Sequence, residues 1–479
     1  MRKFFASVVS MFTNARTDHL YSVNGRVPLL KAIPFGLQHV LSMFVANITP
    51  VIIVFSIFGD PALTSQAIRG AIFMAGIGTA LQLFVGSRLP VVVGTSFTFV
   101  SALVAIGNPA MGGDPGLIFG SLIVGGIVIA ILGLFAKYWR RWIKPIVPAV
   151  VVLGIGLSLL SVGSAQFFGG SSYLSQVIAQ GGLNNHLLWQ YALVAFITLS
   201  TAVLWNIFIR GVWKNLAILV AMVVGYLVSL FFPNILNLGH LGDGGIIALP
   251  SLIDFSSLRF ELVPILIVTI CYIASSVECI GDTTTLSRMG LGRDPTDREI
   301  SGAITADAAS SVLGALFGSL PLTTFSQNVG IVAQTKVVNR FTIFIGSLFL
   351  LLASLFPPIS NLLITIPEPV LGGCMLILFG SIAVVGMQMV AEIGFSARII
   401  LILSITLTLG FGTTLVGDFY RVLETFNIPY LTVIFASPIL NMFVISMILS
   451  YVIPDRKDRK NIAKNAVADE VAIQDKMDK

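Results

Sequence analysis

Apolar runs of membrane-crossing length, separated by short polar stretches, recur along nearly the whole chain. A spanning helix needs about 20 apolar residues. Cutting the chain at its polar breaks predicts about fourteen spans: roughly 33–57, 67–85, 90–107, 116–136, 145–163, 187–209, 215–232, 261–282, 302–319, 321–335, 340–357, 367–390, 398–416 and 432–453. The third and tenth are short and irregular. Two longer loops, about 164–186 and 233–258, are rich in Gly, Asn and Ser, and neither is long enough for a domain of its own. The pattern predicts an all-α polytopic membrane protein with one membrane domain over 31–454. A polar segment, 1–30, precedes it and a charged tail, 455–479, follows. Met1 to Tyr21 is polar and basic and lacks the cleavage pattern of a signal peptide. The tail has the composition of a disordered segment.

Composition strengthens this reading. The 479 residues are 56% hydrophobic and 10% charged, and the mean hydropathy is +0.95. Soluble domains carry about 25% charged residues, so this chain cannot cover itself with a solvated surface. The net charge of +6 points to no nucleic acid, because its distribution follows the spans. With a cytoplasmic N-terminus, alternate loops face inward. The outward set then holds only Arg69, Arg259 and Arg421 of the 28 Lys and Arg. Basic loops favour the cytoplasmic side. A wrong span count would scramble the alternation, so the tally supports the count and also an inner-membrane protein with both termini cytoplasmic.

Two interrupted spans stand out. One reads Leu89-Pro90 through Val93, Gly94, Thr95, Ser96, Phe97 and Phe99. The other reads Leu320-Pro321 through Thr323, Thr324, Phe325, Ser326, Gln327, Asn328 and Gly330. The Leu-Pro pairs lie 231 positions apart, close to half the chain. Interrupted segments at matching places in two halves point to the binding site of an inverted-repeat transporter. Pro removes a backbone donor and disfavours helix before it, so the β-branched residues that follow can run extended. Extended backbone at membrane depth must pair or line a cavity. Two such strands can pair with each other, each leading into a half-helix whose amides point at the centre. The competing reading is two Pro-kinked helices.

Ionisable groups within spans mark function by default. Glu278 and Asp282 stand at i, i+4 and share one helical face. Asp307 lies in the ninth span, and His39 lies beside Gln38 in the first. Bland readings stand beside the functional ones. Asp282 can be a solvated helix end, His39 a satisfied core histidine, and Asp307 a partner to a backbone amide or hydroxyl. A buried carboxylate that gains and loses a proton as the cavity opens to either side is a natural proton carrier. Glu368, in Pro367-Glu368-Pro369, falls at a boundary and is expected to be solvated. Cys271, Cys279 and Cys374 lie in apolar spans without metal spacing. The four His residues form no His-Glu-x-x-His, and no cofactor, metal or enzymatic chemistry is expected.

The stretch Gln327-Asn328-Val329-Gly330 through Thr335-Lys336 resembles the signature of the nucleobase–ascorbate transporter family. That signature reads Gln/Glu-Asn-x-Gly-x-x-x-x-Thr, followed by a basic residue or Gly. Gln38-His39 with Asn47, Gly94-Thr95-Ser96-Phe97, Glu278 to Asp282 and the Asp307 region resemble other blocks of the family, over about residues 30–415. The resemblance implies two inverted repeats of seven segments, with short β-strands in segments 3 and 10, core and gate domains, and a homodimer. It implies that Glu278 and Gln327 hydrogen-bond the base. Backbone near Phe97 and near Phe325–Ser326 completes the pocket, with an aromatic ring stacked on the base. Asp307, His39 and Asn328 support transport or affinity, and Gly330, Thr335 and Lys336 complete the motif. Gln327 and Asp282 resemble the purine branch, for xanthine and uric acid, where uracil carriers tend to have Glu and His. Ser96 sits where xanthine-selective relatives vary. The expected partners are a nucleobase, a proton, the bilayer and a second copy of the chain. A uracil carrier, a Na⁺-coupled carrier and an anion transporter of the same fold are the alternatives.

Overall fold

A computed structural model of the protein describes residues 16–109, 112–179, 186–232, 234–236, 239, 245–416 and 437–454. The charged tail, residues 1–15 and Arg421 lie outside the described residues. The sequence writes its helix starts plainly. Helix α1, Leu29–Phe55, follows Pro28. Helix α2, Pro61–Phe84, has Pro in its first turn, and the Asp60 side chain accepts from the Ala62 and Leu63 amides. Pro costs nothing there, and a carboxylate suits a helix N-terminus.

The third predicted span is not a continuous helix. Strand β1, Val93–Thr95, leads through a helical turn at Phe97–Phe99 into the short helix α3, Val100–Ile106. Helices α4 (Pro115–Leu134), α5 (Ile146–Phe167), α6 (His186–Phe208) and α7 (Ala217–Ser229) follow. The second half opens with α8, Leu262–Leu291, and α9, Asp297–Leu316. Strand β2, Leu322–Thr324, and helix α10, Ser326–Thr335, form the second broken unit. Helices α11 (Arg340–Ser354), α12 (Pro357–Ile364), α13 (Glu368–Ile393), α14 (Ala397–Ile405) and α15 (Pro438–Val452) complete the described chain. Among the described residues, eight helices are long and apolar enough to cross a membrane. Helices α11 and α12 make a further pair bent by 81°. This is a multi-pass membrane fold, and the rest of its segments are broken or short.

Packing divides the helices into two groups. Helices α1, α2, α4, α8, α9 and α11 pack mainly among themselves, around the two strands. Helices α5, α6, α7, α13 and α15 form the other group, and α8 bridges the two through α5. The closest approach within the second group is between α5 and α13. A Cβ on Gly156 would meet the backbone of Ala383, and one on Gly386 the backbone of Leu153. Small residues allow such contact where lipid supplies no hydrophobic drive.

Residues 16–28, placed by sequence in the polar leader, pack back onto the helices. Leu20 and Val27 are buried with Val337 and Phe341. The Asn339 amide donates to the carbonyls of His19, Ser22 and Gly25 at 2.8, 3.1 and 3.0 Å. Arg340, buried, donates to the Leu83 carbonyl and to Asn24.

Candidate functional site: two crossed half-helices joined by carboxylates

The two strands pair antiparallel, with Val93 opposite Thr324, Gly94 opposite Thr323 and Thr95 opposite Leu322. The Ser96 amide to the Pro321 carbonyl (2.8 Å) and the Phe325 amide to the Val92 carbonyl (3.0 Å) extend the pairing. Two three-residue strands leave two outer edges, and an unpaired backbone donor at membrane depth costs several kcal/mol. Side chains from the flanking helices satisfy both edges. On β1, the Val93 amide donates to Thr79 Oγ1 (3.0 Å) and the Thr95 amide to Asn47 Oδ1 (2.9 Å). On β2, the Leu322 amide donates to Ser311 Oγ (2.8 Å) and the Thr324 amide to Asp307 Oδ2 (3.2 Å).

The helical turns after the strands begin at Phe97 and Ser326. They are two residues closer in sequence than the Leu-Pro pairs, so alignment on Leu-Pro slips the second repeat by two positions. The structure pairs Phe97 with Ser326, and Thr98 with Gln327.

Helix α8 crosses both units and sends one carboxylate to each. Glu278 Oε2 accepts from Thr98 Oγ1 at 3.1 Å in the first unit. Asp282 accepts from Thr324 Oγ1 (3.0 Å) and Ser326 Oγ (2.7 Å) in the second. Their i, i+4 spacing puts them on one face, as the sequence indicated, and one turn of helix separates the two tethers. Asp282 is buried, not a solvated helix end. Glu278 is half-buried.

The remaining expected site residues fall into two sets by exposure. Ser326, Gln327 and Gly330 are half-buried along α10. The Gln327 amide has no hydrogen-bond partner among the described residues. A Cβ on Gly330 would meet nothing within 4 Å, so this face of α10 is open. The other set is buried and bonded. Asp307 also accepts from Gln82 Nε2 at 2.6 Å. Asn328 Nδ2 donates to His39 Nδ1 (3.0 Å) and to the His39 carbonyl (3.1 Å). The carbonyl contact fixes the amide orientation and makes Nδ1 the acceptor. Ser96 Oγ accepts from the Thr98 amide and so caps its own turn. The Phe325 ring lies over Gly94, where any Cβ would collide with it. The Phe97 ring stands edge-on to Phe379 of α13, 5.3 Å between centroids and 85° between planes. Thr335 and Lys336 close α10. Lys336 takes a left-handed conformation, φ 57°, and its Nζ donates to the Met289 carbonyl at 2.7 Å. Glu368 is exposed at the start of α13, away from this cluster.

Sequence reasoning did not single out Thr79, Gln82, Thr98, Ser311 and Phe379. Gln82 carried a weaker signal: a polar amide inside an apolar span, which the search for ionisable groups that selected Asp307 passes over. Phe379 carried none, because an aromatic residue in an apolar run has no distinguishing pattern.

Paired strands leading into opposed half-helices within a multi-pass membrane fold define the secondary-transporter class. The chain belongs to the nucleobase–ascorbate transporter family: the profile described as "Permease family" matches residues 30–419. The chain is 29% identical to the xanthine permease XanQ of Escherichia coli (strain K12), over 95% of this chain and 98% of that one. It is 30% identical to the xanthine permease of Bacillus subtilis (strain 168), over 82% of this chain and 88% of that one. Among solved structures it resembles the transmembrane domain of the bicarbonate transporter BicA of a cyanobacterium. That match has a TM-score of 0.54 and 16% identity, and covers 88% of this chain and 97% of that chain. The last likeness is one of fold.

Proposed function

We propose that the chain carries xanthine and/or uric acid, together with a proton, into the cell across the cytoplasmic membrane by alternating access. The observation that carries this reading is Glu278, half-buried on the helix that bonds both units and held by one hydroxyl, in a site whose second unit carries the unpartnered, half-buried Gln327 amide. A purine dione presents an edge of alternating N–H and C=O groups. A carboxylate accepts from N–H groups, and a Gln amide supplies both a donor and an acceptor. Backbone amides at the start of α10, near Phe325 and Ser326, suit ring carbonyl oxygens. Phe97 supplies a stacking face without competing polar atoms. Ser96, Asp282, Asp307, His39 and Asn328 hold the frame, and Gly330, Thr335 and Lys336 shape α10. The named relatives are xanthine permeases, which favours a purine over uracil.

In the cycle, the outward-open carrier takes a proton and a purine at Glu278. The helices around the strands then move as a core against the second group as a gate, and proton and purine leave on the cytoplasmic side, unchanged. The carrier works as a homodimer. Uptake of radiolabelled xanthine and urate in cells lacking their own carriers tests this. Glu278→Gln is expected to abolish accumulation with normal protein in the membrane. Full proton-driven uptake by that variant would sink the role of Glu278. Uptake that follows a Na⁺ gradient and ignores a proton ionophore would select Na⁺ coupling. Competition by uracil, but not by xanthine or urate, would select the pyrimidine branch.

A further inference from the structure

Behind the second strand lies a small polar cavity. It opens between α4, α8, α9 and β2 and leaves about 10 Å³ for the centre of a small molecule. One water needs about 10–15 Å³ of such space. Five of the side chains around it carry a polar or protic group: Tyr272, Ser275, Ser276 and Cys279 of α8, and Asp307 of α9. The remaining walls are apolar, Ala308 of α9 among them, and every lining residue is buried.

Two of these groups have bonding capacity left. A carboxylate offers about four lone-pair sites. Asp307 fills two of them, with Gln82 Nε2 on Oδ1 and the Thr324 amide on Oδ2. A hydroxyl within a helix can turn back on the carbonyl four residues earlier. Ser276 does so on Tyr272 at 2.8 Å, and Thr284 on Ile280 at 2.7 Å. Ser275 does not. It is only 5% exposed, and its hydroxyl has no hydrogen-bond partner among the described residues. Its place on α8 matters: Ser275 stands one turn before Glu278, and Cys279 directly after it. The cavity therefore adjoins the face whose carboxylates are tied to the two units.

We propose that this cavity is a binding site for one ordered water, which donates to the Asp307 carboxylate and accepts from the Ser275 hydroxyl. Ser276 Oγ, whose own hydrogen is taken, is a further acceptor. A water with two to four polar partners is a stable part of a protein interior. It ties α8 to α9 beside Glu278, and Ser275 is thereby a positioning residue for that carboxylate. The positioning role rests on the transport reading of Glu278, whereas the water does not.

A high-resolution electron cryo-microscopy map of the full chain in lipid nanodiscs tests the water. The expected result is one density peak within hydrogen-bond reach of Asp307 and Ser275. A map that shows other buried waters and no peak here overturns the site. Ala308→Val fills the cavity from α9 without removing a polar group. It is expected to lower the melting temperature, because a bonded water is displaced. Filling a dry void would raise it, so a raised melting temperature overturns the site. Ser275→Ala is expected to raise the KM for xanthine uptake about fivefold, the worth of one neutral hydrogen bond, with Vmax and protein level little changed. Ser275→Thr, which keeps the hydroxyl, is expected to stay near the parent value. An unchanged KM in Ser275→Ala, or an equal rise in Ser275→Thr, overturns the positioning role. The map and the melting temperature involve no substrate, so they report on the water even if the carrier takes another base.

Discussion

The two strand–half-helix units share a plan and differ in chemistry. Each has a three-residue strand after a Leu-Pro pair, an outer edge closed by side chains, and a hydroxyl offered to a carboxylate of α8. In the first unit the edge amide of Thr95 is met by a neutral amide, Asn47. The half-helix beyond, Val100–Ile106, is apolar apart from one Ser. In the second unit the corresponding edge is met by the carboxylate of Asp307. Its half-helix carries Ser326, Gln327 and Asn328 in the first turn. The same backbone device therefore does two jobs. The first unit is a scaffold that presents a ring and a hydroxyl, and the second adds a hydroxyl and two side-chain amides at the start of its half-helix.

The largest effect separating the units is expected at their edges. Asp307→Ala strips the acceptor from the Thr324 amide and from Gln82 Nε2, both buried. Each buried donor left unmade costs about 1–3 kcal/mol, so a loss near 3 kcal/mol is expected after Gln82 keeps its bond to the Ala303 carbonyl. Asn47→Ala strips only the Thr95 amide, since the Thr95 hydroxyl bonds the Asn47 backbone. About half the loss is expected there. Melting temperatures of the purified variants in detergent order the two. An Asn47 variant at least as damaged as the Asp307 variant would erase the distinction between edges.

Next comes the pair that the strand register makes equivalent, Gln327 and Thr98. Gln327→Ala removes an amide with no structural partner, so stability is expected to hold while apparent affinity for xanthine falls at least tenfold, about 1.4 kcal/mol. Thr98→Val removes one hydrogen bond to Glu278, worth about 1.5 kcal/mol for a charged acceptor, and frees the carboxylate. A smaller fall, with a shifted pH profile of uptake, is expected. If Gln327→Ala destabilises the fold and leaves affinity unchanged, the second unit is scaffold too.

How far the sequence reached follows from the same contrast. Spans, broken segments and the i, i+4 carboxylates were legible because membrane burial makes polar residues conspicuous. Strand pairing was legible because Pro and β-branched residues leave the backbone few alternatives. The two-residue slip between the repeats was not, because the strands begin at different distances after their Leu-Pro pairs, and only the pairing, with Gly94 opposite Thr323, reveals it. For His39 and Asp307, function and structure stayed equally open in sequence. The structure gives both a bonded place in the frame: His39 to Asn328, and Asp307 to a strand edge. The sequence also set Thr17–Val27 in a polar leader. Their apolar residues are too sparse to signal packing, and their backbone carbonyls, invisible in a sequence, make most of the contacts with Asn339.

A smaller, sharper test lies where the half-helices end. The first unit closes at Gly107 with φ −82°, a conformation any residue adopts. The second closes at Lys336 with φ 57°, where Gly fits without strain. The family motif accepts a basic residue or Gly at this position, and the backbone explains the choice. A non-Gly residue in this region costs about 1–2 kcal/mol. The Lys336 bond to the Met289 carbonyl, made at an exposed site, returns about 1 kcal/mol. Lys336→Gly removes both effects, so a change in stability within about 1 kcal/mol is expected, and of either sign. Lys336→Val keeps the strain, adds that of a β-branched side chain and loses the bond, so it is expected to fall below both. Equal melting temperatures for the Gly and Val variants would mean that side-chain contacts, and not the left-handed turn, decide what this position tolerates.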